Sequence, residues 1–308
     1  MDPFTGTAAS GLAAFRTADS PVGRAGLVVG DRITDLAAAL DKSRPPGTAE
    51  WLADPGRVEL FLAVEGWPDL IAEAAAAQGE SWALDDVTLL PPVRAPQKII
   101  GVGLNYVSHA EEAERSVSEY PVLFAKFANA LTGPSDDVPI PRASHRIDYE
   151  GELAVVIGQR ASEVGRTDAD TVIAGYAVAN DVSARDYQFR TKEMLQGKTF
   201  DGFCPLGPWI SKPCPVGALG ELTLTTDVNG ERRQSATLGE MVFDVPTLVE
   251  YISAIVTLEP GDVILTGTPA GIGGGMKPRR WLRDGDRVDI EIASIGRIAN
   301  TFVKRHGD

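Results

Sequence analysis

The sequence predicts a mixed, β-rich α+β fold, roll-like or sandwich-like, with a smaller N-terminal domain ahead of the main one. Three observations lead there. Short apolar or alternating runs recur at 153–158, 172–181, 222–228, 263–267 and 287–292, several of them bounded by Gly, Asn or Asp, which is the pattern of strands and turns. Helical patterning is limited to a few stretches such as 69–78 and 246–256, so the regular strand–helix alternation of a doubly wound sheet is missing. A segment holding Pro91, Pro92 and Pro96 has few structure formers and divides the chain near residue 95.

The elements follow in order. Residues 1–5 read as an expression-vector remnant and are set aside. Residues 25–36 read as strand, Gly30-Asp31 turn and strand, a hairpin. The Ala-rich run 69–78 is helical. After the proline segment, 98–102 starts a new apolar strand. The runs 153–158 and 172–181 are continuously apolar, as expected of strands buried on both faces. Residues 222–228 alternate, and Asn229-Gly230 then supplies the left-handed pair of a tight hairpin. Pro246 opens a helix that runs to 256, where an early proline loses no needed N–H. Glu259-Pro260-Gly261-Asp262 is a turn into the strand 263–267, and 287–292 alternates again. No internal repeat of solenoid or propeller period is present. The expected division is a small domain over 1–95 and a main domain over 96–308.

Composition bounds the partners. The chain has 308 residues, 44% hydrophobic and 23% charged, with a formal net charge of −14. Such a surface repels phosphate backbones and anionic lipid, which argues against nucleic-acid and membrane partners. An anionic small molecule is still accommodated, because a few local cations reverse the field in one cleft. Cys204 and Cys214 make no disulfide framework and fit no zinc spacing, so both read as free thiols in a reducing compartment, with Cys204 packed beside Pro205. No apolar run is long enough to span a bilayer and no signal peptide is evident. The expected location is cytoplasmic.

The strongest chemical feature is Asp148-Tyr149-Glu150-Gly151-Glu152 at the head of the apolar run. Residues two apart in a strand share a face, so Glu150 and Glu152 point the same way with Asp148 beside them. Stacked carboxylates there repel one another, and a hard divalent cation such as Mg²⁺, Mn²⁺ or Ca²⁺ relieves that. By spacing alone a solvated strand edge explains the pattern equally well. Asp181 ends the next apolar run, a rigid place for a ligand, and Arg185 and Gln188 follow at four and seven residues. Alone, Asp181 reads as well as a helix cap. His109 and Glu112 are i,i+3 neighbours, and a carboxylate beside an imidazole makes a base. Of the other histidines, His145 reads as a surface residue and His306 as part of a polar tail. Lys198, flanked by Phe200, is placed to meet an oxyanion or else snorkels at the surface. Thr268 closes the 263–267 strand and offers a hydroxyl, or simply ends it. Gly101-Val102-Gly103 lacks the third glycine of a dinucleotide loop, and 271–275 lacks the Lys-Ser/Thr of a phosphate loop.

Taken in this order, the stretches 103–112, 148–158, 175–188, 197–208 and 248–273, with the tail 287–303, resemble the fumarylacetoacetate hydrolase family over about 98–303. Residues 23–36 look like the hairpin opening the small N-terminal domain of its longer bacterial members. The resemblance implies a β-roll around a central site, normally a homodimer. It implies a divalent cation (Mg²⁺, or Mn²⁺ or Ca²⁺) on Glu150, Glu152 and Asp181, with Asp148 outside the ligand set. It implies that His109 and Glu112 prepare a water, that Lys198 is catalytic, and that Arg185, Gln188 and Thr268 contact substrate. The activity implied is hydrolysis of a carbon–carbon bond in a β-diketo acid of the acylpyruvate or fumarylpyruvate type. Oxaloacetate decarboxylation and 2-hydroxydienoate isomerisation or tautomerisation use the same site, and a non-catalytic binding protein is the reading from another class. The 273–276 stretch and the basic run 277–280 look less typical and lie at the expected substrate mouth.

Overall fold

The computed structural model describes residues 10–40, 48–77, 79–211 and 216–304. Cys214 and His306 lie outside these. The chain opens with β1 (Ser10–Thr17), β2 (Ser20–Val29) and β3 (Arg32–Asp35), an antiparallel meander in which Gly30 takes a positive φ of 66° at the expected turn. Four helices follow, Leu36–Ala39, Thr48–Ala53, Val58–Leu62 and Trp67–Ala76. The last begins two residues earlier than the sequence suggests, with Pro68 in its first turn, and Gln78 lies outside the described residues. Phe61 packs between the rings of Trp51 and Trp67, with centroids 5.0 and 6.4 Å away. Then β4 (Ser81–Ala83) pairs with β3, and β5 (Val87–Leu90) pairs with β1.

The proline segment has no regular element, as expected, yet it is fixed in place. Val93 is fully buried, and the Glu59 carboxylate accepts the N–H groups of Ala95 at 2.9 Å and Arg94 at 3.4 Å. Backbone pairing runs on past it. The later strands are β6 (Ile99–Gly103), β7 (Val122–Lys126), β8 (Leu131–Thr132), β9 (Val138–Ile140), β10 (Ile147–Asp148), β11 (Gly151–Ile157), β12 (Ile173–Asn180), β13 (Ser183–Ala184), β14 (Cys204–Ser211), β15 (Thr223–Val228), β16 (Glu231–Thr237), β17 (Val263–Leu265), β18 (Arg287–Ile292) and β19 (Gly296–Lys304). The main sheet has the order β4-β3-β2-β1-β14-β12-β11-β17-β6-β7, with β5 on β1 and β8 on β14. A second sheet has the order β16-β15-β18-β19-β9, and β10 and β13 form a two-stranded ladder. This is the sheet-rich α+β roll that the sequence pattern predicts.

Every residue of β11 and β12 is buried, so these strands sit at the middle of the molecule, as their unbroken apolar runs require. One core joins them to the N-terminal helices and to the second sheet, through Trp51, Phe61, Ile290 and Phe302 among others. The β15–β16 turn places Asn229 and Gly230 at φ 53° and 79°, the left-handed pair that this dipeptide favours. Helix Val245–Ile255 starts at the Asp244 cap, whose carboxylate accepts from the Thr247 N–H. Cys204 is buried, and burial pushes its thiol up to about 12, so it is an inert part of the core. Among the described residues no helix is long and apolar enough to cross a membrane.

Candidate active site

The site forms where β11 begins and β12 ends. These strands are antiparallel and Gly151 pairs with Asn180, so the residues just outside that pair, Glu150 and Asp181, come together. The Asp181 N–H donates to the Glu150 carbonyl at 2.9 Å, and the Glu150 N–H donates to Asn180 Oδ1 at 3.0 Å. Glu150 is thus not within the strand, as the two-residue spacing suggests, but in the short joint between β10 and β11. Glu152 is inside β11, and its carboxylate accepts the Gly267 N–H at 2.8 Å. One oxygen from each of Glu150, Glu152 and Asp181 lies within 4.8 Å of the others, and all three residues are buried.

Cations stand around this trio. Lys198 Nζ is 2.6 Å from both Glu150 Oε2 and Asp181 Oδ2. Lys126 Nζ is 2.6 Å from Asp181 Oδ1, and Arg185 Nη1 is 2.7 Å from Glu150 Oε1. Burial raises Glu150, but Lys198, Arg185 and His109 outweigh it and hold the carboxyl well below its ordinary range. Glu152 goes the other way. Burial pushes it up first, and the charges of Asp181 and Glu150 push it further. Glu152 is therefore the one member of the trio with no ion pair among the described residues. Three buried hard-oxygen donors converging on one point, with uncompensated repulsion at Glu152, fit a divalent cation of the Mg²⁺, Mn²⁺ or Ca²⁺ kind.

Asp148 stands apart, as expected of a residue outside that set. Its Oδ1 accepts the N–H groups of Tyr149 and Gly273, and its Oδ2 accepts from Gly274 N–H and Arg185 Nε. Both oxygens are committed to holding the guanidinium and the glycine-rich loop. Gly273 must be glycine because a Cβ would meet the Arg280 carbonyl and Asp148. At Gly275 a Cβ would displace the Glu112 carboxylate from its place beside His109.

His109 lies on the short helix Val107–Glu112, and its Nδ1 is 3.5 Å from Glu112 Oε2. Glu112 Oε1 accepts the Gly271 N–H at 3.0 Å, so the glycine-rich loop also fixes the dyad. An ionised carboxylate only accepts, so it favours the proton on Nδ1 and leaves Nε2 as the basic nitrogen. The dyad, Glu150, Glu152, Arg185, Gln188, Lys198 and Thr268 all border one cavity of about 800 Å³. Asp181 lies beneath its floor.

The structure also decides several side-chain readings that spacing left open. Lys198 does not snorkel, being only 2% exposed, and its ammonium is locked onto the carboxylates. Asp181 is no helix cap, since the next helix starts at Arg185. Gln188 Oε1 accepts from Arg185 Nη1 at 2.9 Å, whereas Arg185 Nη2 is buried with no partner among the described residues. Thr268 borders the cavity, but its hydroxyl donates to the Gly151 carbonyl and accepts from Gln234 Nε2. That hydroxyl steadies the Glu150–Gly151 joint and has no proton left for a substrate. His145 is exposed.

Three residues escaped the sequence reading. Lys126 is fully buried at its side chain against Asp181. Asn105 bonds the backbone of Phe243 and Thr266, which anchors the chain ahead of the His109 helix. Gln234 bonds Gly151, Thr268 and Pro269, tying the second sheet to the joint. Only Lys126 left a trace, as a lone cation closing the apolar strand 122–126.

A β-roll with buried carboxylates at the meeting of two central strands, and a His–Glu pair across one cavity, sets hard-oxygen donors and a base around a single pocket, the equipment of an enzyme. The model of the fumarylacetoacetate hydrolase C-terminal region matches residues 98–303. The chain belongs to the fumarylacetoacetate hydrolase family, whose members are enzymes. It is 46% identical over 232 residues, 75% of this chain and 74% of the relative, to the Homo sapiens protein named oxaloacetate tautomerase FAHD2A, mitochondrial. Among solved structures it resembles a 2-hydroxyhepta-2,4-diene-1,7-dioate isomerase from Mycobacterium marinum, at TM-score 0.75 and 32% identity over 97% of this chain and 100% of that one. It also resembles maleylpyruvate hydrolase from Sphingobium sp. SYK-6 in complex with manganese(II) ion and pyruvate, at TM-score 0.75 and 34% identity over 96% and 99%.

Proposed function

We propose that this protein catalyses keto–enol tautomerisation of a 2-oxo dicarboxylic acid of the oxaloacetate kind. The observation that carries the reading is the His109–Glu112 dyad facing the acidic trio across one cavity, in a chain 46% identical to a protein named an oxaloacetate tautomerase. Tautomerisation requires one proton to leave the carbon next to the 2-oxo group and one to reach the carbonyl oxygen. A divalent cation on Glu150, Glu152 and Asp181 would supply Lewis acidity at that oxygen and lower the acidity barrier at the adjacent carbon.

The chain's own groups do the rest. His109 Nε2, with its ring oriented by Glu112, takes the proton from carbon and passes it to solvent, while the enolate oxygen takes a proton from solvent water; the reverse direction runs both transfers backwards. Lys198 keeps positive charge beside the developing oxyanion. Burial would lower its pKa, but Asp181 and Glu150 outweigh that and raise it, so it stays an ammonium. Arg185 Nη2, the guanidinium nitrogen without a partner, is left for a substrate carboxylate oxygen, and Gln188 holds the guanidinium in place. Thr268 positions Glu150 from below.

Hydrolysis of a β-diketo acid, the first expectation from sequence, stands as the second reading. It uses the same dyad to take a proton from water. It is favoured by the likeness to the maleylpyruvate hydrolase that binds manganese and pyruvate. One preparation, supplied with Mn²⁺ or Mg²⁺, is assayed for decay of the oxaloacetate enol absorbance, for pyruvate release from oxaloacetate, and for cleavage of acetylpyruvate. The expected result is rapid enol–ketone exchange with little diketone cleavage. An enol that decays at the uncatalysed rate while acetylpyruvate is cleaved would replace the first reading by the second.

A further inference from the structure

We infer that the cavity mouth is a second recognition site, for an anionic group at the far end of a 2-oxo acid, formed by Arg146, Lys192 and Arg279. The inference rests on the 2-oxo acid reading above and names the substrate class more closely.

The chain as a whole carries −14, yet the border of this cavity is basic. Arg115, Arg146, Lys192 and Arg279 line it, are exposed, and have no side-chain partner among the described residues. Lys277 is also there, 3.7 Å from Glu114, so the one exposed acid at the mouth already has a partner. Elsewhere many exposed arginines are paired, although Arg16, Arg94 and Arg283 have no ion pair among the described residues. Arg232 meets Asp227, Arg287 and Arg297 share Asp289, and Arg166 meets Asp244. Four unpaired cations thus share one opening in an acidic protein, while the other unpaired ones are scattered singly over the surface. Such a mouth draws anions in and holds them, because the field of a few cations is focused by the low-dielectric walls of a cleft.

Size supports the same conclusion. A cavity of about 800 Å³ is at the scale that encloses a drug-sized ligand, far more than a four-carbon acid fills. A 2-oxo acid held at its head by the carboxylate trio and Arg185 still has room for several more carbons before its tail reaches the mouth. The cations there match a terminal carboxylate on that tail. Arg279 and Lys277 belong to the loop that begins at the glycines clamped by Asp148 and Glu112. The loop that carries Arg279 is therefore fastened to residues at the catalytic end.

The test is calorimetric titration of the Mn²⁺-loaded protein with pyruvate, oxaloacetate, 2-oxoglutarate and 2-oxoadipate, for the wild type and the triple variant Arg146→Gln, Lys192→Gln, Arg279→Gln. The wild type is expected to bind 2-oxoadipate about tenfold more tightly than pyruvate, the scale of three exposed charge contacts. Raised salt should erode that preference. The triple variant should keep its pyruvate affinity and lose most of the preference. Equal affinity for all four acids in the wild type, or a preference that survives in the variant, overturns the inference and leaves the 2-oxo acid reading standing. Failure to bind any of the four overturns both. A wild type that binds with the expected preference but does not turn over oxaloacetate supports the distal site and counts against the tautomerase reading alone.

Discussion

At the scale of single residues, the site rests on unequal charge compensation. The dyad gives the sharpest prediction. His109→Ala should reduce enol–ketone exchange by about 100-fold or more, the usual worth of a positioned base. Its Mn²⁺ affinity, read by titration, should stay close to the wild type, because the imidazole is hydrogen-bonded to Glu112 and to no trio oxygen. Lys126 predicts the opposite profile. Its side chain and that of Asp181 are both fully buried, so Lys126→Met leaves the buried Asp181 only Lys198, which it shares with Glu150. That should cost about 3–5 kcal/mol in urea unfolding without metal. The loss should shrink in saturating Mn²⁺, which supplies positive charge at the same carboxylate. Equal loss with and without metal would argue against a cation at Asp181. The trio was nominated in sequence by the family resemblance, since spacing alone left each carboxylate open and put Glu150 inside a strand that begins only at Gly151. Lys126 and Asn105 were not, since their partners are 55 and 138 residues away.

Among the elements, those whose signals are local emerged from the sequence, and those defined by distant pairing did not. Continuous apolar runs located β11 and β12, and Asn229-Gly230 located the β15–β16 turn. Boundaries moved by a residue or two where caps decide them, as at Asp244, one residue before the helix. The two-residue strands β8, β10 and β13 carry no pattern of their own and exist only through remote ladders. The cap at Asp244 is itself testable. Burial pushes that carboxyl up, but the hydroxyl and N–H of Thr247 and the Arg166 guanidinium outweigh it and hold it below its ordinary value. A lowered folded pKa means stability that is present above the unfolded pKa and is lost as pH falls through the folded one. Asp244→Ala should therefore cost about 1 kcal/mol at neutral pH. The difference in melting temperature from wild type should narrow once the pH drops below the normal carboxylate range.

For the molecule as a whole, homodimerisation is a proposal that the family resemblance motivates, and it predicts a sedimenting mass of about twice 32.7 kDa. A monomer across micromolar concentrations would refute it. The boundary near residue 95 has a less expected outcome. Strand β1 pairs with β2 and β5 before that boundary, but Gly11 and Leu12 also pair with Ser211 and Ile210 of β14. A fragment ending at residue 95 should leave that edge exposed and precipitate on its own, whereas a compact, soluble, cooperatively melting fragment would establish it as an independent domain. The same pairing sets an order in time during synthesis on the ribosome. The first strand emerges roughly ten to forty seconds before the strand that completes it, at ordinary elongation rates. For that interval the nascent chain displays an open hydrogen-bonding rail, and until release it depends on chaperones or on sheer brevity to stay clear of its neighbours on the polysome.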